Sequence, residues 1–140
     1  MKSISINSEI FRTITEHAVN ELPDEACGLI AGKEEGDVRT VEKVYILTNL
    51  DHSSEHFSIS PQEQLEAVKD IRANCLKLLG NWHSHPASPS RPSAEDIRLA
   101  FDKNMSYLIL SLMDKNKPVL NSFHIENGAF AREEIEITEE

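Results

Sequence analysis

The apolar run 106–113, SYLILSLM, limits the folds open to this chain more than any other stretch. It is far too short for a membrane-spanning helix, which needs about 20 apolar residues. A short continuous apolar run is typical of a strand that is buried on both of its faces. We therefore expect a central strand here, in a sheet that other elements cover.

Helix and strand patterns alternate on either side of this run. Ser8, the pair Ser60-Pro61 and Ser93 are each typical of the first residues of a helix. The predicted helices cover 8–21, 60–80 and 94–104, and the predicted strands cover 27–32, 38–47, 79–85, 106–113, 118–125 and 130–137. Helices interleaved with strands, followed by an antiparallel run, predict an α/β fold with a mixed β-sheet covered by helices on both faces.

Length and charge limit the number of domains and the classes of partner that this protein can have. The 140 residues fit one domain over 1–140, and the net charge of −10 argues against nucleic acid and anionic membranes as partners. The first residues, MKSISINSEIF, lack the apolar core of a signal peptide, so we expect a cytoplasmic protein. The acidic run 133–140 has five Glu and no basic residue, which is typical of a solvated, partly frayed tail.

The two cysteines do not define a framework. Cys27 and Cys75 lack the paired spacing of a structural zinc site and are too few for a disulfide scaffold. We expect both to be small buried side chains. A bridge between them stays open, because spacing in sequence does not show distance in space.

The stretch 81–101, NWHSHPASPSRPSAEDIRLAF, carries the candidate chemistry. Residues two apart on a strand point to the same face, so His83 and His85 would project together. Paired imidazoles suit Zn²⁺, and Asp96, brought back by the proline-rich loop, is a candidate third ligand. Two His and one carboxylate could also hold Fe(II). Each part has an ordinary interpretation too: hydrogen-bonded strand histidines, and a helix cap in which Ser93 and Asp96 serve only the backbone.

The spacing of these residues resembles that of a known family. His83-Ser-His85, seven residues, Ser93, two residues and Asp96 resemble the signature of the JAMM (MPN-plus) metalloprotease family. The upstream stretch 23–32, PDEACGLIAG, resembles the second element of that family, an acid placed two residues before a Cys-Gly-Leu segment. The resemblance implies the MPN fold, a three-layer architecture related to the cytidine deaminases.

The resemblance also implies a role for each matching residue. His83, His85 and Asp96 would ligate one Zn²⁺ per chain. Glu25 would be the general base, and Ser93 would stabilise the oxyanion. The implied activity is zinc-dependent cleavage of a peptide or isopeptide bond after the C-terminal tail of a ubiquitin-like or sulfur-carrier protein. A homodimer is a further open expectation.

Two other classes of function remain as alternatives. The first is a non-catalytic MPN scaffold, although such scaffolds typically lack some of the ligands or the acid. The second is a different His₂-Asp metal enzyme; a zinc deaminase is disfavoured because its His-x-Glu and Pro-Cys-x-x-Cys motifs are absent.

His17 and His124 have no ligand spacing and are predicted to be ordinary surface or core residues. His52 and His56 lie in a polar segment that could border a substrate groove.

Overall fold

Strands and helices alternate along the chain in the computed structural model, which describes residues 2–100 and 102–139. The elements are β1 Ser3–Asn7, α1 Ser8–Asn20, β2 Cys27–Glu35, β3 Val38–Leu47, α2 Pro61–Ala73, β4 Lys77–His85, α3 Ala94–Leu99, β5 Ser106–Ser111, β6 Val119–Glu126 and β7 Ala129–Thr138. Phe101, inside the third predicted helix, and Glu140, at the end of the acidic run, lie outside the described residues.

The strands form one mixed sheet that closes on itself. Their order is β1-β3-β2-β4-β5-β6-β7, and β7 pairs back to β1. The pairs β1–β3, β1–β7 and β4–β5 are parallel, and the other neighbours are antiparallel. The predicted mixed sheet with helices is confirmed, but the sheet is closed, and cover by helices on both faces stays a prediction.

The core lies between α1 and the middle of the sheet. Every residue of β5 is buried, as its apolar run predicts. Ile14 and Ala18 of α1 belong to the same buried cluster as Trp82 of β4. The Trp82 indole Nε1 donates to the Tyr45 carbonyl at 3.1 Å. A Cβ on Gly28 would lie 2.3 Å from this nitrogen, so only glycine leaves room for the indole.

The first strand is absent from the sequence prediction. β1 pairs in parallel with β7 and with β3, and its Ile4 and Ile6 are fully buried. A five-residue strand gives a weak local pattern, and its partners lie far along the chain. Its existence therefore depends on closure of the sheet rather than on a local signal.

Two predicted helices are too long. α2 ends at Ala73, and Cys75 has a φ of 58°, in the left-handed region that ends helices. Leu78 and Leu79 fit the helical spacing but belong to β4. α3 ends at Leu99, five residues before the predicted boundary.

The acidic run 133–140 is not a frayed tail as far as Thr138, since these residues belong to β7. Glu133 is only 2% exposed. The hydroxyls of Ser106 and Ser122 donate to its Oε1 at 2.8 and 2.6 Å, and His124 Nε2 lies 3.0 Å from its Oε2. The run of charged residues predicted that Glu133 would be exposed to solvent. Instead, these partners satisfy its carboxylate inside the fold.

Replacing Glu133 by alanine should lower the free energy of unfolding by about 3 kcal/mol or more, as expected when one partner of a buried charged network is removed. The buried guanidinium of Arg39, which donates to Ser106 at 2.8 Å, would lose the carboxylate beyond that hydroxyl. Urea denaturation measures the change. The neighbouring exposed Glu134→Ala is the matched control and should change stability by about 0.5 kcal/mol at most; equal effects of the two variants would contradict the network.

The cysteines do not pair. Cys27 is buried as predicted, whereas Cys75 is exposed, and both thiols are free. The bridge that the sequence left open is therefore not formed. Within residues 2–100 and 102–139, no helix has the length and apolar character needed to cross a membrane.

Candidate active site

Strand β4 ends with two imidazoles on one face of the sheet. His83 and His85 are both buried, and their Nε2 atoms lie 3.1 Å apart. Asp96 Oδ2 lies 3.2 Å from His83 Nε2 and 3.1 Å from His85 Nε2. Among the described residues, these three form the group of metal-ligating side chains close enough to share one ion.

The spacing of these atoms fits a tetrahedral metal ion. A tetrahedron with bonds of about 2.0–2.1 Å has edges of about 3.3–3.4 Å, close to the observed 3.1–3.2 Å. His85 Nδ1 lies 2.9 Å from the Pro89 carbonyl, which can only accept a hydrogen bond. This contact places the proton on Nδ1 and leaves Nε2 free to ligate a metal. The donor set therefore fits Zn²⁺.

The proline-rich loop brings the start of α3 back to the end of β4. It is tied to strand β5 at two points. Ser111 Oγ donates to the Ser88 carbonyl at 2.7 Å, and Ser90 Oγ donates to the Ile109 carbonyl at 2.6 Å. These bonds fix the path of the loop and so place Asp96 beside the imidazoles.

Ser93 and Asp96 form a capping box at the start of α3. Ser93 Oγ accepts from the Asp96 N–H at 3.0 Å, and the Ser93 N–H donates to Asp96 Oδ2 at 2.9 Å. The same Oδ2 faces His83 and His85, so the cap and the ligand cluster share one carboxylate. Burial acts to raise the pKa of Asp96, but its close contacts with the two imidazoles outweigh it and hold the pKa well below its usual range.

Glu25 lies across from the histidines on the neighbouring segment. Cys27 pairs with His83, and the Ala26 N–H donates to Ser84 Oγ at 2.8 Å, so the antiparallel register sets Glu25 opposite His85.

Glu25 is only 3% exposed, and its Oε1 has no hydrogen-bond partner among the described residues. Burial raises its pKa to about 8; the charge of Asp96 adds to the rise, and His85 opposes it. Such a carboxyl group can exchange a proton near neutral pH.

A small cavity adjoins the ligand cluster. Its volume is about 60 Å³. The lining residues, mostly apolar, are Phe57, Asn81, His83, Asp96, Leu99, Ala100, Tyr107, Ile109 and Ile125. The Phe57 ring stacks on the His83 ring with centroids 4.9 Å apart and an interplanar angle of 29°. The cavity can accept a small apolar side chain next to the metal ligands.

Cys27 is a packing residue, as predicted, although it lies beside His83 on the adjacent strand. Its Sγ is 3.9 Å from the Leu47 carbonyl. Burial, with a further contribution from the charge of Glu25, raises the pKa of the thiol to about 12. A thiol that stays protonated is a poor nucleophile.

The other histidines stand outside the ligand cluster. His17 packs edge-on against Trp82, with centroids 6.3 Å apart, and His124 contacts Glu133.

His56 Nδ1 lies 2.8 Å from Asp51 Oδ2 within the polar segment 48–60. The segment reaches the cavity through Phe57, but His52 and His56 do not join the ligands. That these histidines border a substrate groove stays a prediction.

Two site contacts have no signal in the sequence pattern. Asn49 lies in a polar stretch with no motif of its own, yet its buried side chain donates to the Glu25 carbonyl at 3.0 Å. Phe57 precedes a helix start and reads as a packing residue. Both act across the fold, so spacing along the chain could not identify them.

Comparison with known proteins identifies a matching family and several similar proteins. A family model described as prokaryotic homologs of the JAB domain matches residues 7–126. The CysO-cysteine peptidase of Mycobacterium tuberculosis is 29% identical over 135 residues, which cover 96% of this chain and 91% of that protein. The desampylase of Pyrococcus furiosus is 31% identical over 102 residues, which cover 66% of this chain and 70% of that protein.

A solved structure agrees with the fold. The solution structure of a Desulfitobacterium hafniense protein, 54% identical in sequence, matches with a TM-score of 0.91. The match covers 98% of this chain and 94% of that one. The chain therefore belongs to the JAMM family of peptidases, among the prokaryotic homologs of the JAB domain.

Proposed function

We propose that this protein is a zinc-dependent peptidase or isopeptidase that cleaves the bond after the C-terminal tail of a ubiquitin-like or sulfur-carrier protein. One observation carries the proposal: three ligand atoms lie 3.1–3.2 Å apart beside a buried carboxyl group with a raised pKa. The substrate class rests on the relatives, which include a CysO-cysteine peptidase and a probable TtuB-protein conjugate cleaving protease.

His83, His85 and Asp96 would hold the metal. A catalytic zinc site uses three protein ligands and keeps one position open, and this chain offers three. Zn²⁺, when bound, supplies a Lewis acid that polarises an amide carbonyl and lowers the pKa of water to about 7. The remaining chemistry falls to residues of the chain.

Glu25 would move the proton. Its Oε1, which has no hydrogen-bond partner among the described residues, can accept a proton from the attacking water and pass it to the nitrogen of the leaving amine. Burial keeps bulk water from competing for this oxygen. Between the two transfers the carboxyl group would hold the proton.

Ser93 would stabilise the oxyanion. A hydroxyl has one donor and two acceptor positions. The cap uses an acceptor position, since Ser93 Oγ accepts from the Asp96 N–H. The hydroxyl proton remains available for the oxygen of the scissile carbonyl, so capping and catalysis are compatible in one residue.

A cleavage assay tests the proposed activity. The purified protein is incubated with a sulfur-carrier protein that ends in one added cysteine, and in parallel with an isopeptide-linked conjugate of the same carrier. Mass spectrometry should show the carrier with its own intact C-terminal tail, freed of the added cysteine or of the conjugated partner, from one or both substrates. A chelator should abolish this cleavage. Cleavage that persists after complete metal removal, or no cleavage of either substrate, would contradict the proposal.

Elemental analysis separates zinc from the iron alternative. Protein purified without added metal should contain about one zinc per chain, since the ligand set fits a tetrahedral site. Iron at that stoichiometry, with zinc absent, would favour the other His₂-Asp class.

Replacing Ser93 by alanine should lower kcat by about 10²–10³-fold, the usual effect of removing one oxyanion donor. The lost cap alone costs about 1 kcal/mol of stability. Ser93→Gly is the matched variant, because glycine retains most of the capping stability but has no hydroxyl. Both variants should lose turnover to the same extent and keep their zinc content. A Ser93→Gly protein with the wild-type rate would show that Ser93 serves only as a helix cap.

A further inference from the structure

Asn49 is a buried amide whose hydrogen-bonding groups are all used. It is 4% exposed and follows the end of β3. Its Oδ1 accepts from the N–H groups of Asp51 at 3.0 Å and Ser58 at 3.2 Å. Its Nδ2 donates to the carbonyls of Glu25 at 3.0 Å and His56 at 3.2 Å. The orientation of the amide is unambiguous, because N–H groups need the oxygen and carbonyls need the NH₂.

The segment 48–60 thus holds the main chain of Glu25 on both sides. The Glu25 N–H donates to the Ser53 carbonyl at 2.7 Å, and the Glu25 carbonyl accepts from Asn49. The next residue, Ala26, is bonded to Ser84, which lies between the two histidines. The backbone of Glu25 is therefore fixed between this segment and the strand that carries the ligands.

The carboxyl group itself has less support. Glu25 Oε1 is buried without a hydrogen-bond partner among the described residues. No hydrogen bond sets the direction of that oxygen there, so its placement depends more strongly on the backbone that carries it. The same segment also places Phe57 against the His83 ring. One amide side chain therefore organises the segment that touches both the base and a ligand.

Resting on the proposed function, we propose that Asn49 is a positioning residue: its Nδ2 bond to the Glu25 carbonyl sets the reach of the base toward the metal-ligand cluster. A second interpretation is that Asn49 only orders segment 48–60. The two differ in what the Nδ2 donors do. Ordering the segment uses Oδ1 and the bond to His56, whereas positioning the base uses the bond to Glu25.

Asn49→Asp tests the difference. Aspartate has nearly the same shape and keeps an acceptor for Asp51 and Ser58, but it loses both donors and sets a carboxylate oxygen against the Glu25 carbonyl. In zinc-loaded protein, kcat should fall at least 10-fold, while KM and zinc affinity change less than about 2-fold. Amide hydrogen exchange by NMR should be faster at the Glu25 N–H.

The matched control is Asp51→Asn. Asp51 accepts from Ser58 Oγ at 2.9 Å and pairs with His56, within the segment, and it has no hydrogen bond to Glu25. This variant loosens the segment but keeps the Asn49 bond, so kcat should stay within about 2-fold of wild type. If the two variants slow turnover equally, or if Asn49→Asp changes KM and zinc affinity as much as kcat, Asn49 only orders the segment and the inference is wrong.

Two further results keep the test decisive. If Asn49→Asp does not fold, Asn49→Ser, which keeps one short donor and acceptor, should still lower kcat more than Asp51→Asn; an equal or smaller loss overturns the inference. Wild type and Glu25→Gln are assayed alongside. An inactive wild type or a fully active Glu25→Gln contradicts the proposed function, whereas a fully active Asn49→Asp beside a normal wild type contradicts this inference alone.

Discussion

Replacing His83 by alanine should abolish zinc binding and hydrolysis together. His83 Nε2 is one corner of a triangle of ligand atoms whose sides are 3.1–3.2 Å, and two corners cannot hold the ion in a tetrahedral site. The loss of a group that only supports a ligand lowers metal affinity by about 10–100-fold. The loss of the ligand itself should exceed that range. Competition with a zinc-binding dye measures the affinity, and the cleavage assay measures activity.

His52→Asn is the control for this variant. The His52 side chain is 74% exposed, and its φ of 46° is one that asparagine tolerates. This variant should keep both zinc and activity. A His83→Ala protein that retains wild-type zinc affinity would show that the ion is held elsewhere.

Replacing Glu25 by glutamine should keep zinc but reduce kcat by about 10²–10⁴-fold, the usual contribution of a positioned general base. Glutamine preserves the size of the side chain and the backbone bonds to Asn49 and Ser53. It cannot take a proton from water, so only the transfer is lost. Zinc content and single-turnover cleavage are measured on the same preparation.

Glu95→Gln is the control for the base. Glu95 lies in the first turn of α3, its side chain is 41% exposed, and its charge acts on Glu25 only at a distance. Its removal should leave turnover within about 2-fold of wild type. Full activity of the Glu25→Gln protein would place the base at another residue.

The ligand cluster was predictable because local patterns fix most of it. Strand alternation puts His83 and His85 on one face, and the capping pattern places Asp96 in the first helical turn. Glu25 is different, since no local rule connects it to the histidines. Only the resemblance to a family suggested its role, and the pairing of β2 with β4 sets it beside His85.

Three features that the sequence did not predict share one cause, because each depends on contacts between distant parts of the chain. β1 forms because β3 and β7 return beside it. Glu133 is buried because Ser106, Ser122 and His124 meet it across three strands, which a count of charges cannot foresee. Asn49 acts on Glu25 through the tertiary fold, and a polar residue in a polar stretch gives no sign of it.

Anomalous diffraction at the zinc absorption edge, from crystals of protein purified without added metal, locates the bound ion and shows which residues hold it. We expect one strong peak about 2.0–2.1 Å from His83 Nε2, His85 Nε2 and an Asp96 oxygen, with the carboxyl group of Glu25 facing the open position. A peak at other residues, or Glu25 turned away from the metal, would contradict the proposed zinc site and its base.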